Sequence, residues 1–197
     1  MNFLINGKYY TVPMSIEEPS VIAAASSGAK FIAENGNGFK TLSTPSIMIG
    51  QMQVLDCDLL AAKYRIEQVK TELIEKANKL LVNMVQRGGG LVDIRVKILK
   101  DPEIEMMIVE FLVNVCESMG ANIVNTLVEN MSPIIQEISE GRIGIRILSN
   151  LCTERRAMSR FSIPVSKMNY KEYSVKHRIN DYEFIRVIGR YSCPKDH

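Results

Sequence analysis

The chain has 197 residues, 46% of them hydrophobic and 23% charged, which is ordinary globular usage and excludes a disordered, collagenous or simple coiled-coil protein. Its 24 basic and 22 acidic side chains leave a net charge of +2, too even to argue for nucleic acid or an anionic membrane surface as partner. No uninterrupted apolar run reaches bilayer length, and the opening MNFLINGKYY lacks the basic-then-apolar pattern of a signal peptide, so a cytoplasmic chain that does not enter a membrane is expected.

In chain order, residues 2–12 alternate weakly around Asn6-Gly7, a two-residue hairpin signal. Pro13 and Pro19 bracket an acidic turn, MSIEE, after which Ser20 is placed to cap a helix through VIAAASSGAKFIAEN that Gly36 and Gly38 end. The small residues Ala23–Ala29 would let a backbone or a ligand approach that helix closely. SIMIGQMQVL (46–55) reads as a strand. Apolar residues at helical spacing over 58–86 predict one long helix, stopped by Gly88-Gly89-Gly90. LVDIRVKIL (91–99) alternates as a half-buried strand does. A turn is expected at Asp101-Pro102, then a strand over 106–115, a helix from about Met119 to Ile138 ended near Gly141, and a strand over 144–151. FSIPV (161–165) reads as one more strand, and the pattern weakens beyond it. The order strand, helix, strand, strand, helix, strand over 46–151 predicts an α+β, ferredoxin-like (β-α-β-β-α-β) domain with both helices on one face. Residues 1–40 and 152–197 then belong to something else.

Few residues suit common active-site chemistries. Cys57, Cys116, Cys152 and Cys193 include no CxxC pair, and the only histidines are His177 and His197. Reduced thiols, no metal site and no Ser-His-Asp or Cys-His catalysis are expected. Glu17-Glu18-Pro19 holds two carboxylates beside a rigid residue. Such an acid can transfer protons if burial raises its pKa, or can simply complement a helix dipole. The triple glycine could admit a phosphate to the backbone or could be a helix stop and strand entry. It is neither GxGxxG nor a Walker loop. In Ser118-Met119-Gly120-Ala121-Asn122 a glycine in the first turn of a helix costs about 1 kcal/mol against alanine, which either a bound diphosphate or close helix–sheet packing would repay. Asn150 could orient a ligand or be a plain turn residue. Arg155, Arg156 and Arg160 could form an anion patch or a solvated surface, and the eleven methionines suit core gaps.

Taken together, VPMSIEEPSVIAAAS (12–26), RGGG (87–90), ESMGANIVNT (117–126) and RILSNL (146–151) resemble class II hydroxymethylglutaryl-CoA reductase, in order, from about residue 3 to residue 165. The resemblance implies an oxidoreductase that interconverts hydroxymethylglutaryl-CoA with mevalonate and coenzyme A through two hydride transfers from NADPH or NADH, and that works as a homodimer. It also implies a large substrate domain in two parts (1–40 and a divergent return over 152–197), interrupted by a small NAD(P)-binding domain over 41–151. By the same resemblance Glu18 is the catalytic acid, set by burial beside a lysine, and Ser20 contacts substrate. Glu117, Met119, Gly120 and Asn122 form the cofactor motif, and Asn150 lies near the nicotinamide. Three departures stand out. Glu117 replaces an aspartate. Leu81 takes the place of an acid that NADH-preferring members carry before the triple glycine. The THNKG-like segment with the catalytic lysine, and the later aspartate and histidine, do not occur in these 197 residues. An isolated chain without that lysine is expected to be inactive, which leaves a cofactor-binding or interaction remnant as the alternative reading.

Overall fold

The computed structural model describes residues 2–100, 105–168 and the backbone of 184–191. The turn at Asp101-Pro102, both histidines and Cys193 lie outside the described residues. The chain divides into two compact units, one drawn from Met1–Ser43 and Ala157–Tyr191, the other from Thr44–Arg156.

In the first unit, Asn6-Gly7 closes a hairpin of β1 (Asn2–Ile5) and β2 (Lys8–Thr11). Helix α1 (Pro19–Gly36) follows, then β3 (Lys40–Ser43), β8 (Ala157–Pro164) and β9 (Phe184–Tyr191), which form an antiparallel sheet in the order β3-β8-β9. Phe3 and Phe39 pack tilted with centroids 6.0 Å apart, Phe39 meets Phe161 edge to face at 5.7 Å, and the three rings tie the hairpin to that sheet. Helix α1 has 18 residues but buries only Ala29 fully, leaving Val21 half exposed. Strands β3 and β9 were not legible in the sequence. FSIPV proves to be the end of a longer strand that runs into a 3-10 turn at Val165–Lys167.

The second unit contains β4 (Ile47–Leu55), α2 (Leu59–Gln68), α3 (Lys70–Leu80), the short α4 (Val82–Val85), β5 (Gly90–Lys100), β6 (Glu105–Asn114), α5 (Ala121–Ser139) and β7 (Arg142–Leu148). Its sheet runs β5-β6-β4-β7 with every neighbouring pair antiparallel. Alternation decides the two faces. Met107, Val109, Phe111 and Val113 of β6 join Met52, Val54, Ile94 and the apolar sides of α2, α3 and α5 in one core, while Glu110 and Leu112 point the other way. Each large side chain buried there contributes about 1.5–3 kcal/mol.

The expected single helix over 58–86 is three helices. Val69 (φ −102, ψ 13) and Leu81 (φ −106, ψ 30) leave the helical region. The break lets α2 pack on α5 and α3 turn onto β5. Asp58 caps α2, accepting from the Leu60 and Ala61 amides at 3.1 and 3.0 Å. At the other end of α5, Arg65 donates to the carbonyls of Ile138 and Ser139 at 2.7 and 2.8 Å.

After β7 the chain crosses to the far side of its own sheet. Thr44 and Arg156 exchange hydrogen bonds, with Thr44 N–H to the Arg156 carbonyl at 2.9 Å and Arg156 N–H to Thr44 Oγ1 at 2.8 Å. Glu154 meets Arg95 of the opposite edge strand at 3.0 Å, and Lys70 and Arg95 share Asp93. Expected boundaries at 40/41 and 151/152 compare with an observed division at 43/44 and 156/157. The shift follows from β3 pairing with β8 and from Thr44 being held by Glu154 and Arg156.

Candidate active site and cofactor groove

The chain enters α1 through Glu18, which is extended (φ −103, ψ 97), and Pro19, whose fixed φ suits the first helical position. Glu18, not Ser20, is the cap: its Oε1 accepts from the Ser20 amide at 3.4 Å. Ser20 could not fill that role because the helix has already begun at Pro19. Both side chains are exposed.

The cofactor-motif residues all belong to the second unit. Val115 N–H bonds to the Ser46 carbonyl at 3.0 Å, ending β6 against the start of β4. A turn follows, with Ser118 N–H to the Val115 carbonyl at 3.0 Å, and presents Glu117 and Met119 to solvent, Met119 at 72% exposure. Gly120 is the N-cap of α5, so the helix starts two residues later than expected. Its φ is +89, and a Cβ there would lie 2.7 Å from Val115 Cγ1 and 2.8 Å from Met48 Sδ. Close packing therefore demands glycine. A glycine cap also offers no side chain to the first turn: the Val124 amide is the first to reach a helix carbonyl, that of Gly120, and the amides of Ala121, Asn122 and Ile123 precede it.

Beside this helix start lies a groove of about 480 Å³. Leu81, Asn83 and Arg87 line one wall, Asn122 and Thr126 the other. The triple glycine leads from Arg87 into β5. At Gly90 (φ +112) a Cβ would fall 2.5 Å from Asn78 Oδ1. Asn78 in turn holds β5, donating to the Leu91 carbonyl at 3.0 Å and accepting from the Leu91 amide at 2.8 Å. The helix-stop reading of the motif accounts for this geometry.

Asn150 sits two residues past β7, exposed, and its carbonyl accepts from the Cys152 amide at 2.9 Å. Asn125, which sequence reasoning did not single out, links α5 to this region by accepting from the Leu148 amide at 2.8 Å. Arg87 stood in the sequence only within RGGG and was not singled out as a site residue. Among the described residues, Cys57, Cys116 and Cys152 are free, and no three His, Cys, Asp or Glu side chains gather as metal ligands. Burial pushes the Cys57 thiol up from its ordinary value. No described helix is long and apolar enough to cross a membrane.

Comparison with known proteins decides the lineage. The family model described as hydroxymethylglutaryl-coenzyme A reductase matches residues 1–183. The chain belongs to that family. The 3-hydroxy-3-methylglutaryl-coenzyme A reductase of Archaeoglobus fulgidus is 45% identical over 160 residues, which are 81% of this chain and 36% of the relative. The Streptococcus pneumoniae 3-hydroxy-3-methylglutaryl-coenzyme A reductase superposes with a TM-score of 0.82 at 36% identity, covering 88% of this chain and 47% of that one. A class II structure of the S. pneumoniae reductase bound to NADPH in open conformations gives a TM-score of 0.80 at 36% identity over 86% and 41%. The chain thus spans less than half the length of these reductases. All seven candidate residues, Glu18, Ser20, Glu117, Met119, Gly120, Asn122 and Asn150, fall inside the matched span.

Proposed function

We propose that the chain is the cofactor-binding part, with a portion of the substrate domain, of a cytoplasmic, homodimeric hydroxymethylglutaryl-CoA reductase that interconverts hydroxymethylglutaryl-CoA with mevalonate and coenzyme A. The family match over residues 1–183 carries this reading. The second unit is then a ferredoxin-like NAD(P)-binding domain, a reading supported by its order of elements and its β5-β6-β4-β7 antiparallel sheet. The first unit contributes to the large substrate domain.

Several features suit NADPH or NADH in the second unit. The groove volume falls within the roughly 300–1,000 Å³ of ordinary ligand sites. Bare amides at the start of α5 suit a diphosphate, and Asn83 and Asn122 offer polar anchors. When bound, the nicotinamide supplies hydride. The chain's own residues orient and protonate: Gly120 gives the backbone room, Glu117, Met119 and Asn122 hold the dinucleotide, Asn150 positions its nicotinamide end, Ser20 contacts substrate, and Glu18 delivers a proton to the thioester or mevaldehyde oxygen.

A non-catalytic role for the chain by itself is the second reading. It concerns these 197 residues taken alone, among which no THNKG-like segment occurs. Losing a cationic oxyanion stabiliser typically costs a hundred- to thousandfold, about 3–4 kcal/mol. The test is to titrate the purified chain with NADPH and NADH, then to follow nicotinamide absorbance with hydroxymethylglutaryl-CoA. Binding without turnover is expected. Failure to bind either dinucleotide would remove the cofactor-domain assignment, and sustained turnover would remove the expectation of inactivity. In a chain extended to include the lysine segment, Glu18→Gln is expected to lower turnover by roughly a hundredfold or more. Undiminished turnover would take Glu18 out of the mechanism.

A further inference from the structure

We infer that Asn125 is a positioning residue for the nicotinamide end of the bound dinucleotide, acting through the backbone that carries Asn150; the inference rests on the reading of the α5 start and Asn150 as dinucleotide-binding groups. Strand β7 lies at the outside of the order β5-β6-β4-β7. Successive backbone amides of a strand point to opposite sides. The Ser149 amide turns inward and reaches the Ile49 carbonyl of β4 at 2.8 Å. The Leu148 amide therefore turns outward, where an edge strand ordinarily leaves it to water. Asn125 Oδ1 accepts it there at 2.8 Å, in a half-buried hydrogen bond.

That hydrogen bond joins the two stretches that would hold the cofactor. Asn125 follows Asn122 by three residues on α5, so the two share a face, one turn from the bare amides of the helix start. Leu148 precedes Asn150 by two residues. The intervening Ser149 is held to β4, and the turn beyond closes on itself, with the Leu151 amide on Ser149 Oγ at 3.2 Å and the Cys152 amide on the Asn150 carbonyl at 2.9 Å. The place of Asn150 relative to α5 is thus set two residues upstream, at Leu148.

A second link between α5 and β7 runs from Arg146 Nε to Glu129 at 2.7 Å, one turn further along the helix and more exposed. Exposed ion pairs constrain weakly, so Asn125 is the link that fixes the end of β7 nearest Asn150. A misplacement of about 1 Å at the reacting end of a bound molecule can cost a hundredfold in rate, which is how a side chain that touches no ligand comes to matter.

The test compares each reduced dinucleotide with the same molecule lacking nicotinamide: NADH with ADP-ribose, and NADPH with 2′-phospho-ADP-ribose. Calorimetry gives dissociation constants for the 197-residue chain and its variants, and the preference within a pair isolates the nicotinamide end. In Asn125→Ala the dinucleotide is expected to bind about five- to thirtyfold more weakly, and its nicotinamide-free partner within about twofold of wild type. Asn125→Asp keeps the accepting oxygen and should restore the preference, and Glu129→Gln should leave it unchanged. Asn150→Ala should lower the preference as Asn125→Ala does, and the double variant should lower it no further, because one residue acts through the other. A merely structural role would weaken both members of a pair together, and that result would overturn the inference. So would an undiminished preference in Asn125→Ala, a failure of Asn125→Asp to restore it, or additive losses in the double variant; each leaves the dinucleotide reading standing. A wild-type chain that binds none of the four molecules would instead overturn the dinucleotide reading, and the inference with it.

Discussion

Replacing Gly120 by alanine separates the two reasons a glycine could stand at the start of α5. The backbone there has φ +89, where an L side chain costs about 1–2 kcal/mol. The new Cβ would also come within 2.7 Å of Val115 Cγ1 and 2.8 Å of Met48 Sδ. Met48 can swing its thioether aside. Val115 cannot retreat, because it is fully buried and its amide is tied to Ser46. Overpacking of this kind costs about 1–3 kcal/mol. The combined loss is about 2–5 kcal/mol, a large share of the roughly 5–15 kcal/mol that stabilises an ordinary domain. Urea unfolding followed by far-ultraviolet circular dichroism reads the loss as a lower midpoint at unchanged slope. Gly28→Ala is the control. Gly28 lies inside α1 with nothing within 4 Å of the added methyl, so alanine there should stabilise by about 0.5–1 kcal/mol through helix propensity alone. A loss below about 1 kcal/mol for Gly120→Ala would refute the packing argument. Ligand approach would then be the only remaining reason for the glycine.

Glu154 offers a pH-dependent test. The hydrogen bond from Arg95 is the main cause holding its carboxyl below the ordinary value. A depressed carboxyl stabilises the fold above the unfolded value, about pH 4.3, and loses that contribution as pH falls through the lower native value. Arg95 is 42% exposed, so the pair is worth only about 0.2–1 kcal/mol. Unfolding free energies of wild type and Glu154→Gln should differ by that amount above about pH 5 and converge in acid; a gap that stays constant into acid would sink the assignment. Asn78→Leu should cost more, about 2–6 kcal/mol, because it orphans both the amide and the carbonyl of the buried Leu91. Thermal or urea melts check this, and a loss under about 1 kcal/mol would show that water replaces the amide without penalty.

Strands β4, β5 and β6 were legible to within one residue because alternation is a local signal that burial of one sheet face enforces. The break between α2 and α3 was not. Apolar spacing continues without interruption from Leu59 to Leu81, and neither proline nor glycine marks Val69. The bend serves a tertiary purpose, since α2 must follow α5 while α3 must cover β5. Strand β3 escaped for a related reason. Lys40–Ser43 is four residues long and mostly exposed, and it is a strand because β8, far along the chain, lies beside it.

The candidate site shows why composition left its two readings balanced. A serine or aspartate N-cap would have satisfied the first-turn amides of α5 with its own oxygen. Glycine satisfies none of them, so the residue that packing against Val115 and Met48 requires is also one that leaves those amides open to a ligand. Both consequences follow from one missing Cβ, and no count of residues separates them. Arg87 is the converse case. A cation before a glycine turn has no meaning until α5 is brought alongside, and only then does it face Asn122 and Thr126 across a groove without a carboxylate. The glycine was visible and ambiguous; the arginine was visible but had no counterpart in the local sequence, because the wall opposite it is assembled by the fold.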